Sequence, residues 1–422
     1  MNMHHQRRVS KHESVVVVVV MALLLVYSCD ARQGPTWKEL QRLEYNFSQY
    51  CHDFSKPYVV GTPEYRFREN VFLQKLRVVR EHNADPSQTW KRGVNQFTDF
   101  SEHELKDFNL GVRIDRKSAP GVSDRGPTPT VPESLRQQVY VSNPVDAATA
   151  SQTLPFGVDW RLANSPRVLT AIKSQGYCGD CWGHSVTESM ETYYAMLSGE
   201  LHVLSQQQVT SCTNNSKCWK YNGTYIQSGG CSPNAPQRAF DSIRQLGGLH
   251  SNWVYPFVDF FRNTSNSSKC RNSEINWRPV VTAEGYRYVQ NNNATAMMEA
   301  LATVGPVLTF VAAYPWMDYE GGIFRNNASF GIYNFITDHV VQVVGYGQEL
   351  GEHGLKYWIV RNTFGAGWGE AGYIRLERPD VEPCGLDGDT FRCGTELTHQ
   401  VPVCGTSAVL SDPMYPVVKP AS

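Results

Sequence analysis

Within the stretch SQGYCGDCWGHS, Ser174 to Ser185, a glutamine precedes two cysteines and a histidine follows them. Three chemistries use such residues. Cys178, Cys181 and His184 resemble part of a zinc knuckle, but zinc needs a fourth ligand and reduced thiols. A redox pair needs both thiols free in a βαβ setting, and that pattern is absent from the flanking sequence. A nucleophile needs one thiolate, favoured at a helix N-terminus by unpaired N–H groups and the helix dipole. Cys181 is that candidate, since the apolar-rich run CWGHSVTESMETYYAMLSG reads as a helix from Cys181 to Gly199. Gln175, on the approach loop, can aim a side-chain N–H at a developing oxyanion beside the Cys181 backbone N–H.

A thiol nucleophile requires a base, and the base requires an orienting group. His339 opens the run HVVQVVGYG, and Asn362 ends YWIVRN. Both runs, and AGYIRLE after them, are Val-, Ile- and aromatic-rich segments bounded by Gly, hence strands. A side-chain amide oxygen accepting from the imidazole fixes its tautomer. Cys, His and Asn in that chain order form a nucleophilic set that needs no metal and no cofactor. The elements that must carry the set are therefore a helix in one half and strands in the other, an α+β chain.

The chain of 422 residues is 41% hydrophobic and 12% aromatic, enough for a sizeable core, and its net charge of −1 gives no footprint for nucleic acid. At the N-terminus, Arg7, Arg8 and Lys11 precede the apolar run Val15 to Tyr27. That run is too short to span a bilayer and reads as a signal peptide over residues 1–30, so no stable membrane association is expected after its removal. Passage through the secretory pathway agrees with N-x-S/T sequons at Asn46, Asn214, Asn222, Asn263, Asn266, Asn293 and Asn327. Residues 31–110 are charged and helical in pattern: Phe67, Val71, Leu76 and Val79 recur at near-helical spacing. Residues 111–153 are rich in Pro, Ser, Thr and Ala and read as an extended, cleavable linker. The remaining segment, 154–422, holds nine of the eleven cysteines, an even eight once Cys181 is set aside.

The last segment resembles the papain/cathepsin L family of cysteine peptidases. The resemblance rests on QGYCGDCW, LSQQQVTSC, GGCSPNAPQRAF, DHVVQVVGYG and YWIVRNTFGAGWGEAGYIRL. The charged N-terminal region resembles that family's inhibitory propeptide. Its helix pattern falls on Glu64, Arg68, Phe72, Lys75, Val79 and Asn83, with Lys75 departing, and GVNQFTD follows at Gly93–Asp99. The resemblance implies a papain-like two-lobed fold, a helical lobe plus a β-barrel-like lobe, preceded by a mostly helical propeptide. It implies a zymogen of a cysteine endopeptidase with Gln175, Cys181, His339 and Asn362 as oxyanion donor, nucleophile, acid/base and orienter. It also implies bridges Cys178–Cys231 and Cys212–Cys270, with Cys404 as the usual third-bridge cysteine and Cys384 or Cys393 replacing its missing partner; Cys218 joins these three in an open pairing. Ala235, Pro236 and Val340 map to an apolar specificity pocket, with Asn234 beside it. Protein and peptide substrates, the chain's own propeptide as inhibitor, a monomer, and a lysosome-like or extracellular destination complete the expectation.

The chain departs from the family pattern at several places. Asp180 stands between the two cysteines, as a helix N-cap or as a charge that raises the thiol pKa. His184 follows Trp182–Gly183, as a structural histidine or a pH-sensitive neighbour of the nucleophile. Phe364 replaces a shielding Trp, and Pro233 and Asn234 replace glycines that bind substrate backbone. These replacements define the rival reading, a secreted papain-like homologue acting as a binding or matrix protein. His202, His250, His353 and His399 are expected to be solvated surface groups.

Overall fold

The computed structural model describes residues 34–107, 128–141, 154–213, 220–221, 224–225, 230–231, 233–259, 269–350, 354–388, 391–392, 395–396 and 400–421. The N-terminal apolar run, Cys29, Cys218, Cys393, His353, His399 and the sequons at Asn214, Asn222, Asn263 and Asn266 lie outside the described residues.

The helix Cys181–Ser198 is buried along nearly its whole length. It stops where Gly199 takes φ 79°, a left-handed conformation natural to glycine, and returns its N–H to Ala195 O. The helices Gln206–Cys212 and Pro236–Gln245 pack against it. Opposite lies a ten-stranded sheet. Its main path runs Trp90–Arg92, Tyr319–Phe324, Tyr373–Glu377, Lys356–Arg361, His339–Gln348, Val307–Val311, Ser411–Pro420 and Val281–Tyr288. All neighbours are antiparallel except Tyr373–Glu377 with Tyr319–Phe324. Among the described residues the path is open at both ends, so the sheet lobe is not a closed barrel.

The strand His339–Gln348 is central. Val340 packs with Cys181, Trp182 and Phe240, whereas Val341, Val343 and Val344 pack into the main core with Trp160, Trp358 and Leu376. Burial on both faces explains its near-continuous apolar sequence. Gly345 lets the strand Gly157–Asp159 approach, since a Cβ there would sit 2.0 Å from Val158 O.

The propeptide carries the long helix Pro63–Ala84. Its buried stripe is Phe72, Leu76, Val79 and Asn83, while Phe67 is 46% exposed. Leu76 and Val79 of the expected stripe are thus buried, whereas Phe67 lies beside the Arg68 guanidinium and Phe72 takes the inward place. Phe47, Tyr50 and Phe72 form a tilted and stacked aromatic group that joins this helix to Phe47–Asp53. In the segment whose composition suggests extended chain, Glu133–Val139 is helical and its Leu135 and Val139 are buried in the main core. Strand Tyr140–Val141 then pairs with Gly157–Asp159. Apolar side chains at i and i+4 outweigh the Pro- and Ser-rich surroundings there.

Candidate active site

Cys181 begins its helix at the wall of the sheet, and Ser185, one turn on, donates from Oγ to Val340 O at 2.8 Å. That bond ties the helix to the residue beside His339. The Cys181 thiol is fully buried, and burial pushes it well above the usual thiol range. The Val340 and Trp182 backbone N–H groups pull it down, and the charges of Asp180 and Asp338 push it up.

His339 and Asn362 are equally buried. His339 Nε2 lies 2.8 Å from Asn362 Oδ1, and the Thr363 N–H donates to the same oxygen at 2.8 Å. Two donors on one atom fix it as the amide oxygen, so Nε2 carries the ring proton and Nδ1 is the basic nitrogen. The Phe364 ring stacks on the imidazole at 4.9 Å, and Trp368 meets Phe364 edge-on at 5.4 Å. Phenylalanine thus covers this hydrogen bond with an apolar face.

Gln175 belongs to the same group through the backbone. Ser174 bridges to Phe364, Gln175 N donates to Thr363 O at 2.9 Å, and Thr363 Oγ1 donates to Gln175 Oε1 at 2.6 Å. Gln175 Nε2 donates to Cys178 O at 2.9 Å. The structure therefore gathers Gln175, His339 and Asn362 around one strand end, with Cys181 against the residue that follows His339. Sequence reasoning missed Ser185 and Thr363; each is a small hydroxyl in no periodic pattern, so adjacency to Cys181 and Asn362 was the only available signal.

The other expected residues fall as follows. Cys178 joins Cys231 and Cys212 joins Cys270. Cys178 therefore cannot be a zinc ligand or a free redox thiol. Cys384 joins Cys404, which settles the partner left open between Cys384 and Cys393. This bridge pins a hairpin in register, Cys384 opposite Cys404. From that hairpin the buried Asp387 accepts a 2.6 Å bond from Thr337 Oγ1, two residues before His339. Asp338 accepts from the N–H groups of Ala313 and Tyr314, yet burial pushes its carboxyl up to about 7. Asn234, Ala235, Pro236 and Val340 are all buried, and Asn234 Oδ1 accepts from the Ala235 N–H. His250 corrects an expectation: it is 4% exposed, with Nε2 2.9 Å from Trp277 O. Asp180 sits at the N-cap position without a side-chain capping bond; its Oδ2 instead accepts from Thr210 Oγ1. Among the sequons, Asn46, Asn293 and Asn327 each use Oδ1 to cap a helix.

The propeptide closes over this site. Strand Trp90–Arg92 extends the sheet edge, Trp90 opposite Gly322 and Arg92 opposite Tyr319. Arg92 pairs with Asp318 at 2.6 Å, and Asn95 Nδ2 donates to Met317 O. Gln96 Nε2 then donates to Phe364 O, and Phe97 meets the Phe364 ring at 5.5 Å. The propeptide thus rests on the ring that shields His339.

A papain family cysteine protease model matches residues 154–392, and a cathepsin propeptide inhibitor domain model matches residues 47–105. The chain is 31% identical over 327 residues to a cathepsin L-like proteinase of Phaedon cochleariae, covering 77% of this chain and 86% of that one. It is 29% identical over 361 residues to the probable cysteine protease RDL3 of Arabidopsis thaliana, covering 85% and 82%. A solved recombinant stem bromelain precursor superposes with a TM-score of 0.60 at 25% identity, covering 88% of this chain and 97% of that chain. Family match, propeptide match and proenzyme fold agree: the chain belongs to the papain family of cysteine proteases and carries a cathepsin-type inhibitory propeptide ahead of its protease domain.

Proposed function

We propose that Cys181, His339, Asn362 and Gln175 are the working residues of this cysteine endopeptidase zymogen. The observation that carries the assignment is the convergence of His339 Nε2 and the Thr363 N–H on Asn362 Oδ1, which turns Nδ1 of His339 into the base. After propeptide release, His339 Nδ1 takes the thiol proton and the Cys181 thiolate adds to a peptide carbonyl carbon. The oxyanion is met by the Cys181 backbone N–H and by the Gln175 amide hydrogen not given to Cys178. The C–N bond then breaks as His339 protonates the amine. Water adds to the thioester with His339 as base, and C–S cleavage returns the thiol. No step uses a metal or cofactor.

Asn234, Ala235, Pro236 and Val340 form the wall that receives the substrate residue two positions before the cut. The apolar surfaces of Ala235, Pro236 and Val340 favour a hydrophobic side chain. Pro233 supplies no N–H, so backbone pairing at that edge is weaker than glycine would give. The protein is read as a monomer entering the secretory pathway through residues 1–30, glycosylated at its sequons, and working in a lysosome-like compartment or outside the cell. Among the described residues, no helix is long and apolar enough to cross a membrane. The test is hydrolysis of a peptide library by the processed protein. Loss in Cys181→Ala and His339→Ala supports the assignment; retained cleavage in Cys181→Ala rejects it.

A further inference from the structure

Directly before the nucleophile, Asp180 is 0% exposed, and one turn after it His184 is 1% exposed. His184 Nδ1 stands 3.1 Å from Asp180 Oδ1. The other Asp180 oxygen accepts a 2.7 Å bond from Thr210 Oγ1, and the His184 ring meets Phe257 edge-on at 4.8 Å. The two side chains are thus boxed in between the helix, the helix Gln206–Cys212 and Phe257. A buried carboxylate is costly unless paired, and here its partner is titratable.

We propose that Asp180 and His184 form a charge-compensating pair that sets the pH at which Cys181 becomes a thiolate, acting as positioning residues beside the nucleophile. This rests on the reading of Cys181 as nucleophile. A negative charge on Asp180 opposes a second one on the adjacent sulfur, and a proton held by His184, at i+3 from Cys181, offsets that opposition. Consistent with this, the charge of Asp180 raises the Cys181 thiol, beneath the larger effect of burial. Other charged groups face the pair and the sulfur. Glu188 follows His184 by one turn; burial raises its carboxyl, while Arg361, Lys173 and His184 oppose that rise. Arg361 lies 3.3 Å and Lys173 4.0 Å from Glu188. Asp338, beside His339 and bonded to the Ala313 and Tyr314 N–H groups, is a further charge that raises the thiol. Helix Gln206–Cys212 presents Thr210 and the loop presents Phe257, both uncharged. Asp259 stands beyond, by the Cys178–Cys231 bridge. Among the described residues, Asp180 and His184 are the pair of titratable side chains in contact within one turn of Cys181.

The test is the rate of Cys181 alkylation by iodoacetamide in the activated enzyme across about pH 3 to 9, with the adduct mapped. Asp180→Asn moves the acidic limb down by about one pH unit, His184→Gln moves it up by a similar amount, and the double variant returns close to wild type. A merely structural role would slow both variants without moving the limb in opposite directions. Profiles that stay put, or that shift the same way, overturn the pair. If His184→Gln does not fold, Asp180→Asn alone decides, because only a downward shift is compatible. Failure of the wild-type enzyme to alkylate at Cys181 overturns the nucleophile reading and this inference with it, a result distinct from unmoved profiles.

Discussion

Asp99 is the point where the inhibitory segment can be unfastened with one substitution. Its carboxylate is 0% exposed and accepts from Tyr50 Oη at 2.7 Å, from Tyr58 Oη, and from Lys56 Nζ at 2.8 Å. Arg68 Nη1 donates to the Asp99 backbone oxygen at 3.0 Å. These bonds hold the turn Asn95–Asp99 that delivers Gln96 and Phe97 to Phe364. Asp99→Ala removes the carboxylate from a buried ammonium and from the Tyr58 hydroxyl, while Lys56 keeps Gln96 O and Tyr50 keeps Asn95 O. Removing one partner of a buried ion pair costs about 3–5 kcal/mol. Burial already pushes Lys56 down, so losing its proton relieves part of that cost, and the lower end applies. At about 1.4 kcal/mol per decade, 3 kcal/mol loosens the docked turn roughly a hundredfold. The assay is labelling of Cys181 by a peptidyl vinyl sulfone in the full proprotein at neutral pH, together with its melting curve. The variant is labelled about a hundred times faster and its propeptide melts earlier. Labelling at the wild-type rate with an unchanged melt would refute the argument that this turn controls access.

Four further outcomes follow from the same structure. Burial pushes Glu104 up, but its hydrogen bonds from Arg68 and Ser101 outweigh this and hold it below the ordinary range. A depressed carboxylate stabilises the fold above its ordinary value and stops doing so as pH falls through the lower folded value. Acid melting of the propeptide therefore occurs below the ordinary glutamate range, and Glu104→Gln flattens it. Burial lowers Lys75 to about 8, so the unfolded chain binds more protons between there and the ordinary lysine value, and proprotein stability rises with pH across that window. Lys75→Met abolishes the rise in pH-dependent melting. Phe364→Ala uncovers the His339–Asn362 bond and lowers kcat by about tenfold to a hundredfold with a smaller change in KM, and Phe364→Trp restores it. Asp387→Ala releases Thr337 and speeds hydrogen exchange of the amides just before His339, with little effect on the helical half.

The residues that do chemistry were legible because each marks the end of a regular element. Cys181 starts a helix that Gly199 stops, His339 starts a strand of near-continuous apolar residues, and Asn362 follows another strand directly. Such ends read well from local pattern. Contacts between distant segments read poorly. Nothing in WKR announces that Trp90–Arg92 would extend the sheet at Gly322, because three residues carry no register signal. Phe67 and Phe72 are both plausible helix-face residues, and only the position of Phe47 and Tyr50 selects Phe72. His250 is buried by a backbone carbonyl from Trp277, a tertiary event with no local trace. The Cys384–Cys404 choice was set by the facing register of a hairpin, not by spacing. The fully buried Arg361, held by Thr170, Ala171 and Glu188, ends an otherwise apolar strand and would be taken for a surface residue from sequence alone.

The assignment of the sulfur is most directly tested by mass mapping the activated protein after reaction with a peptidyl vinyl sulfone bearing a hydrophobic side chain two positions before the warhead. The account predicts one adduct, on Cys181, lost in His339→Ala and accompanied by loss of peptide hydrolysis. An adduct elsewhere, or full hydrolysis by protein whose Cys181 is blocked, would contradict it.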